Sequence, residues 1–169
     1  MGEGQARKPL SRIDRAMNLE AKPVSVEYAV FVHVTEDFDK VIKAVESLMP
    51  PKLRERKKVE VEETYGHYEN PIRIVKASFR NPEYASRAFA WIWARLSYED
   101  RTRLTRDLDL HISDKSKLYM RLDKQDAFLG QVRLSSGDDV IKVVFSFKGP
   151  KEAVKDFLLS RDLRSCENA

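Results

Sequence analysis

The sequence is poor in the residues from which disulfide frameworks, metal sites and phosphate loops are built: it has one cysteine, three histidines and six glycines. The lone Cys166 excludes an intrachain disulfide and a cysteine-based metal cluster, and it favours a reducing intracellular setting. The few glycines form no glycine-rich phosphate loop. No apolar run has the length of a membrane span or of a signal peptide, so we expect a cytoplasmic protein that does not enter a membrane.

Patterns typical of catalysis are also missing. His33, His67 and His111 lack the three- or four-residue spacing that holds a metal ion on a helix. No serine or threonine stands in a known nucleophile motif. Acidic pairs such as Asp138 and Asp139 are explained locally, by a turn, a helix start or a solvated helix face. We therefore expect no enzymatic activity, no metal and no cofactor.

Charge is abundant and nearly balanced. The 31 basic and 27 acidic side chains leave a net charge of +4 and a pI near 9.1. This surplus tolerates a polyanionic partner, but it is smaller than that of a dedicated charge-driven nucleic-acid binder. Hydrophobic residues make up 42% of the chain, which is enough for one folded domain of ordinary size.

Three segments are predicted along the chain. Residues 1–22 carry scattered positive charge and only a weak apolar period, which indicates a flexible basic N-terminal arm. Residues 23–160 are predicted to form a single α+β domain, and residues 161–169 a C-terminal tail.

The clearest strand runs from Val24 to about Val34, where apolar residues alternate with others and place Val30 and Val32 in the core. A helix capped by Thr35 follows and stops before Pro50 and Pro51. Residues 59–61 and 72–79 then form a predicted hairpin, whose loop holds the aromatic segment 65–71.

Asn81 with Pro82 begins a second helix, and Ser97 begins a third. A fourth strand around residues 118–122 precedes a turn that ends at Gly130, a brief strand at 131–134 and a last strand at 141–147, before a final helix. The order is β-α-β-β-α-α-β-β-β-α. Because consecutive strands lie close enough for hairpins, it predicts an α+β fold with a largely antiparallel sheet and helices packed mainly on one face.

The sheet face that points away from the helices carries the most suggestive side chains. Alternation assigns to it Phe31, His33, Arg73, Tyr119, Arg121, Lys142 and Lys148. A single-stranded RNA platform needs such a mixture, because rings stack on bases and cations contact phosphates. Glu27, Glu60 and Glu62 fall on the same face and repel phosphate, so a dimer contact and a plain solvated sheet stay open as alternatives.

The densest positive run lies before the second strand. Five basic residues fall within seven positions: Lys52, Arg54, Arg56, Lys57 and Lys58. Two interpretations stay open, a loop that contacts phosphates and a solvated charged loop.

Three strings of the sequence match a known pattern: VEYAVFVHVTED at residues 26–37, NPI at 70–72 and LYMRLDKQDAFLG at 118–130. Together they resemble an archaeal family of predicted RNA-binding proteins that is described as exosome-associated and is similar to the ribosomal protein L-five fold. Arg121, Asp123, Lys124 and Gln125 carry the most specific part. The family usually has a tyrosine-glycine pair before the NPI element, whereas here Tyr68 is followed by Glu69. The motif can equally be a structural corner, with Asp123 capping the turn and Gly130 in a left-handed conformation.

The resemblance implies a non-catalytic RNA-binding protein of the archaeal RNA-processing or translation apparatus, with an L-five-like fold. Its partner would be single-stranded or structured RNA. Contacts are expected at Tyr119, Arg121, Lys124, Gln125, Arg73 and the run Lys52, Arg54, Arg56, Lys57 and Lys58. The alternative is a structural or assembly protein, either a homodimer or an accessory subunit that docks on the exosome or the ribosome without recognising RNA directly.

Overall fold

The computed structural model describes residues 20–65, 68 and 70–167, with side chains described as far as Arg161. The predicted basic arm lies largely outside this part, as do His67, Glu69 and the side chain of Cys166. Among the described residues, no helix is both long and apolar enough to cross a membrane.

In chain order the elements are β1 (Lys22–His33), α1 (Phe38–Ser47), a 3₁₀ helix (Pro51–Arg56), β2 (Lys58–Tyr65), β3 (Pro71–Phe79), α2 (Pro82–Arg95), α3 (Tyr98–Arg106), α4 (Leu108–His111), β4 (Lys117–Asp123), α5 (Lys124–Phe128), β5 (Val140–Lys148) and α6 (Lys151–Glu167). The strands form one antiparallel sheet with the order β2-β3-β1-β5-β4. The prediction of an α+β fold with an antiparallel sheet is therefore confirmed.

Strand β1 occupies the centre of the sheet because its alternating valines bury one face while its backbone pairs on both edges with β3 and β5. Val26, Val30 and Val32 are buried, and Tyr28 between them is fully buried with its hydroxyl donating to the Leu48 carbonyl at 3.1 Å. Proline is tolerated in this central strand only at its start, where the pairing register shifts between Pro23 and Ser25.

The helices cover this buried face and leave the other face of the sheet open. Phe89 of α2 lies at the centre of an aromatic cluster, with ring centroids 5.3 Å from Phe145, 5.2 Å from Phe157 and 5.6 Å from Trp93. These contacts join α2, β5 and α6 over the sheet. The expected inward residues of β4, Leu118, Met120 and Leu122, are buried in the same core.

Side-chain caps fix where the helices begin. Asn81 accepts hydrogen bonds from two amides of α2, and Ser97 accepts one from Asp100 in α3, as the sequence predicts. The cap of α1 was assigned wrongly, since Asp37 rather than Thr35 accepts from the first-turn amides. The carboxylate makes the cap and places negative charge at the positive end of the helix.

The predicted strand at residues 131–134 is absent, and the predicted turn before it is the helix α5. Asp123 caps α5 by accepting from the Asp126 amide at 2.8 Å, and Gly130 follows with a φ of 74°. Leu134 makes only an isolated bridge to β4, because its amide donates to the carboxylate of Asp100 at 3.0 Å instead of to a strand. The last helix also runs to Glu167, past the predicted domain boundary at residue 160.

We expect Val32→Asp to unfold the protein. Val32 is 2% exposed on the central strand. An unpaired buried carboxylate costs several kcal/mol, whereas the total stability of a domain is only about 5–15 kcal/mol. The matched control is Val34→Asp, two residues on, where the side chain is 65% exposed. Thermal melts followed by circular dichroism test the pair, and equal melting temperatures for the two variants would contradict the buried, central position of β1.

Candidate nucleic-acid interface

The open face of the sheet carries rows of side chains that the strand register fixes. One row reads Lys58, Ser78, Glu27, Val144 and Tyr119, and the next reads Glu60, Lys76, Ala29, Lys142 and Arg121. Tyr119 is 46% exposed, and Phe31 is also exposed on this face. The expectation that Tyr119 and Arg121 point away from the core is therefore met.

Charge on the open face changes sign from one edge to the other. The β2 edge presents Glu60 and Glu62, and the Lys58 ammonium there pairs with Glu60 at 3.2 Å. The β4 and β5 edge presents Lys117, Arg121 and Lys142. A polyanion that approaches this face is attracted to the β4 edge and repelled at the β2 edge.

A trough of about 640 Å³ lies along the basic half of the open face. Small side chains form its floor, among them Ser25, Ser78 and Ser146, and the Tyr119 ring borders it. Lys117 and Arg80 add positive charge, and Glu27 is the acidic residue in its lining. The aromatic ring of a ligand can stack on Tyr119 here, and Lys117 and Arg80 can then contact a phosphate attached to that ligand.

Arg121 is exposed on the open face and also makes a hydrogen bond that supports the fold. Its guanidinium donates to the carbonyl oxygen of Gly137 at 2.7 Å and so holds the loop between α5 and β5 against β4. This bond uses one of the five N–H donors of the side chain. The guanidinium therefore stays in a fixed position with further donors available to a ligand.

The structure does not place Arg73 on the open face, which corrects the assignment made from alternation. Arg73 pairs opposite the buried Val32, and so its side chain lies on the helix side of the sheet. There its guanidinium carbon is 4.9 Å from the centre of the Phe38 ring, at the start of α1. Arg73 is thus separated from Tyr119 by the sheet itself.

Lys124, expected to contact RNA, is instead 1% exposed in the interior. Its ammonium donates to the Phe31 carbonyl at 3.0 Å and pairs with the carboxylates of Glu36 at 2.8 Å and Asp139 at 3.1 Å. Three acceptors match the three donors of the ammonium, which leaves none for a phosphate. Gln125 is exposed, and its amide donates to the same Asp139 at 2.8 Å.

This network lowers the pKa of Asp139. Burial acts to raise the pKa, but hydrogen bonds from Gln125 and Lys124, together with the positive charge of Lys124 and the nearby His33, outweigh it. The carboxylate therefore stays ionised in the folded protein to lower pH than in the unfolded chain, where it pairs with nothing.

The basic run at residues 52–58 is spread over different surroundings. Lys57 pairs with Glu46 at 3.0 Å, and Arg56 donates to the Tyr84 hydroxyl at 2.8 Å. Lys52 is exposed, and the Arg54 side chain donates to the Met49 carbonyl. The run leads into β2, four strand spacings or roughly 19 Å from β4, so it does not join Tyr119 and Arg121 in one site.

Sequence reasoning overlooked Lys117 and Arg80 as members of the site. The alternation in β4 that places Tyr119 on the open face places Lys117 there as well, so the sequence contained the signal for Lys117. Arg80 follows β3, and its place beside the trough depends on the pairing of Glu27 with Ser78, which no local pattern reveals.

Comparison with known proteins identifies relatives of this chain. A family model described as RNA binding matches residues 25–147. An RNA-binding protein of Pyrococcus abyssi is 36% identical over 134 residues, which cover 77% of this chain and 87% of that protein. An uncharacterized protein of Methanocaldococcus jannaschii is 39% identical over 127 residues, which cover 73% of this chain and 84% of that protein.

Solved structures share the fold. A protein of Sulfolobus solfataricus from the DUF54 family superposes with a TM-score of 0.67 at 31% identity, covering 81% of this chain and 98% of its own. A DUF54 protein of Archaeoglobus fulgidus gives a TM-score of 0.69 at 28% identity, covering 82% of this chain and 99% of its own.

We expect Lys124→Met to destabilise the protein rather than to affect ligand binding directly. Removing one partner from a buried ion pair costs about 3–5 kcal/mol, and the half-exposed Asp139 reduces the expected loss to about 2 kcal/mol. Lys142→Met, on the open face, serves as the control and should change stability by less than about 0.5 kcal/mol. Urea denaturation at pH 7 measures both.

The loss in Lys124→Met should also depend on pH. Because the folded-state pKa of Asp139 is depressed, its stabilising contribution is complete above the ordinary value of 3.8 and is lost as the pH falls through the folded value. The stability difference from the wild type should therefore be smaller at about pH 3 than at pH 7. A pH-independent difference would show that Lys124 contributes through packing alone.

Proposed function

We propose, because this chain belongs to the family described as RNA binding, that it binds single-stranded RNA on the open face of its sheet. The observation that carries the location is the exposed ring of Tyr119 on β4, with Lys117 and Arg121 two residues away on either side and on the same face. The trough beside this ring receives a base.

In this arrangement stacking binds the bases and positive charge binds the phosphates. A base stacked on an aromatic ring contributes about 1–3 kcal/mol and requires an unpaired nucleotide, which favours single strands over duplexes. Lys117, Arg121 and Lys142 surround the ring and neutralise phosphates. No step of this function requires catalysis.

The acidic β2 edge limits where the strand can run. RNA that crossed the whole sheet would pass Glu60 and Glu62, whose charges repel phosphate. RNA that follows the β4 and β5 edge avoids both. The path we propose therefore runs along β4, past Tyr119, and meets Glu27 only at the side of the trough.

The resemblance supports a setting in archaeal RNA processing or translation, with exosome or ribosome components as further partners. It also supports a relation to the ribosomal protein L-five fold. The reducing setting that a single cysteine favours supports the cytoplasm as the location. The cellular setting, the further partners, the location and the fold relation are thus additions to the proposal of RNA binding.

A second function, docking on a larger assembly or on another copy of the chain, is favoured by the β2 edge. Val59 and Val61 point to the helix side of the sheet but are 41% and 46% exposed, so the helices do not reach them. An edge strand with exposed apolar side chains can pair with a strand of another protein. This function uses the edge opposite the proposed RNA path, and the two are compatible.

We expect Tyr119→Ala to weaken the binding of a single-stranded RNA oligonucleotide by about 1–3 kcal/mol, the contribution of one stacked base. The matched control is Tyr65→Ala, which removes an exposed ring on the far edge and opposite face of the sheet. Fluorescence anisotropy measures affinity, and thermal melts should show less than about 0.5 kcal/mol change for either variant. Unchanged affinity would show that no base stacks on Tyr119, and the proposed location on the open face would then be wrong.

Glu27→Gln should tighten binding by about two- to fivefold at low salt, because it removes a negative charge from the trough while keeping the shape of the side chain. The gain should shrink as salt screens the charges. Glu62→Gln, on the same face at the β2 edge, is the control and should have a smaller effect. If Glu62→Gln has the larger effect, the RNA crosses the β2 half of the sheet and the proposed path is wrong.

A further inference from the structure

A second cavity, of about 350 Å³, lies beyond the β4 edge of the sheet. It is a half-open cavity bordered by α3, α4 and the loop after α5, and Tyr119 lines both this cavity and the trough. Its volume is within the range of small-molecule sites, which begins at about 300 Å³. The trough and this cavity therefore meet at the Tyr119 ring.

The lining of this cavity combines apolar side chains with basic ones. Leu110, Leu134 and the Tyr119 ring supply the apolar surface, and Leu110 is 83% exposed despite its size. Arg103 and Arg121 supply positive charge, and these two side chains and His111 supply hydrogen-bond donors. Among the described residues that line it, none is acidic, in contrast to the trough with Glu27.

This combination selects the chemistry of the ligand. A purely anionic ligand would use the basic side chains and leave the exposed leucine without a partner, whereas a purely apolar one would leave the guanidinium groups unused. An unpaired nucleotide satisfies both, since its base is flat and largely apolar and its phosphate is anionic.

We propose that this cavity takes one unpaired nucleotide of the bound RNA, with its base between Leu110, Leu134 and the Tyr119 ring and its phosphate toward Arg103 and Arg121. The inference rests on the proposed RNA binding along β4 and adds a site where an individual base is inspected. We call this cavity, bounded by Arg103, Leu110, Tyr119, Arg121 and Leu134, the nucleotide pocket.

The nucleotide pocket is held in shape before any ligand arrives. The Arg121 guanidinium is fixed by its hydrogen bond to the Gly137 carbonyl at 2.7 Å, and the Leu134 backbone is fixed by the hydrogen bond that its N–H donates to the Asp100 carboxylate at 3.0 Å. The Ser135 hydroxyl accepts from the Gly137 amide at 3.1 Å, which leaves its own proton to donate. A preformed pocket loses less entropy on binding, and fixed polar groups at its edge give preference among bases.

The test compares intact RNA with oligonucleotides that lack a single base. For the full-length wild type, an abasic site at one position of a short single strand should weaken binding about 5- to 150-fold, the contribution of one stacked base. Leu110→Asp places a negative charge in the lining of the pocket. This variant should bind intact RNA only as tightly as the wild type binds the abasic oligonucleotide, and it should bind the two oligonucleotides equally.

The control is Leu129→Asp, which adds the same charge at another exposed leucine that does not line the pocket. Arg103→Gln gives a milder variant in the lining of the pocket and should reduce affinity without reaching the abasic level. Thermal melts confirm that all three variants remain folded.

The outcomes separate the two proposals. If Tyr119→Ala weakens RNA binding while Leu110→Asp and Arg103→Gln do not, RNA binds along β4 but the nucleotide pocket is wrong. If Leu129→Asp weakens binding as much as Leu110→Asp, the effect is general repulsion and the pocket is again wrong. If the wild type binds no single-stranded RNA at low salt, the proposed function and the pocket both fail.

Discussion

The Lys124 ammonium is the interaction on which the geometry of the open face depends. It joins β1, through the Phe31 carbonyl, to the helix start at Glu36 and to the segment before β5 at Asp139. Strands β1 and β4 are not neighbours, because β5 lies between them. Lys124 immediately follows β4, so its bonds fix the end of that strand against the central strand. A buried charge is tolerated only when its partners are in place, which makes this arrangement all-or-none and gives Tyr119 and Arg121 a rigid support.

Patterns local to a strand allowed the faces of the sheet to be predicted, except where two patterns conflict. In β4, one alternation buries Leu118 and Met120 and projects Tyr119, and the structure agrees. In β3, Ile72 and Ile74 suggest that the even-numbered residues face the core, while Val75, Ala77 and Phe79 suggest that the odd-numbered ones do. A strand without a bulge keeps the same alternate residues on one face throughout. The pairing of β3 with β1 places the odd-numbered residues on the helix side. Arg73 consequently lies on the helix side, and only the register, a long-range property, reveals it.

The burial of Lys124 and the dispersal of the basic run, like the face of Arg73, depend on structure that no local pattern shows. The partner Glu36 lies 88 residues from Lys124 in the sequence, and α5 is too short to show a helical period, so nothing nearby indicates burial. Residues 51–56 form a 3₁₀ helix, in which successive side chains point in three directions. Neighbours in the sequence therefore disperse in space: Arg56 reaches Tyr84 while Lys57 reaches Glu46. A dense run of charge predicts a local surface only when the backbone aligns its side chains.

The distribution of charge explains how a nearly neutral chain presents a site for a polyanion. A net charge of +4 is modest, but the sheet register gathers Lys117, Arg121 and Lys142 at one edge and Glu60 and Glu62 at the other. Nearby charges dominate the field that a phosphate experiences, because salt screens those more than about 8–10 Å away. The acidic edge therefore costs little affinity at β4, yet it opposes any path across the sheet. In the proposed function, position along the open face, rather than total charge, sets where RNA lies and directs it past Tyr119 to the nucleotide pocket.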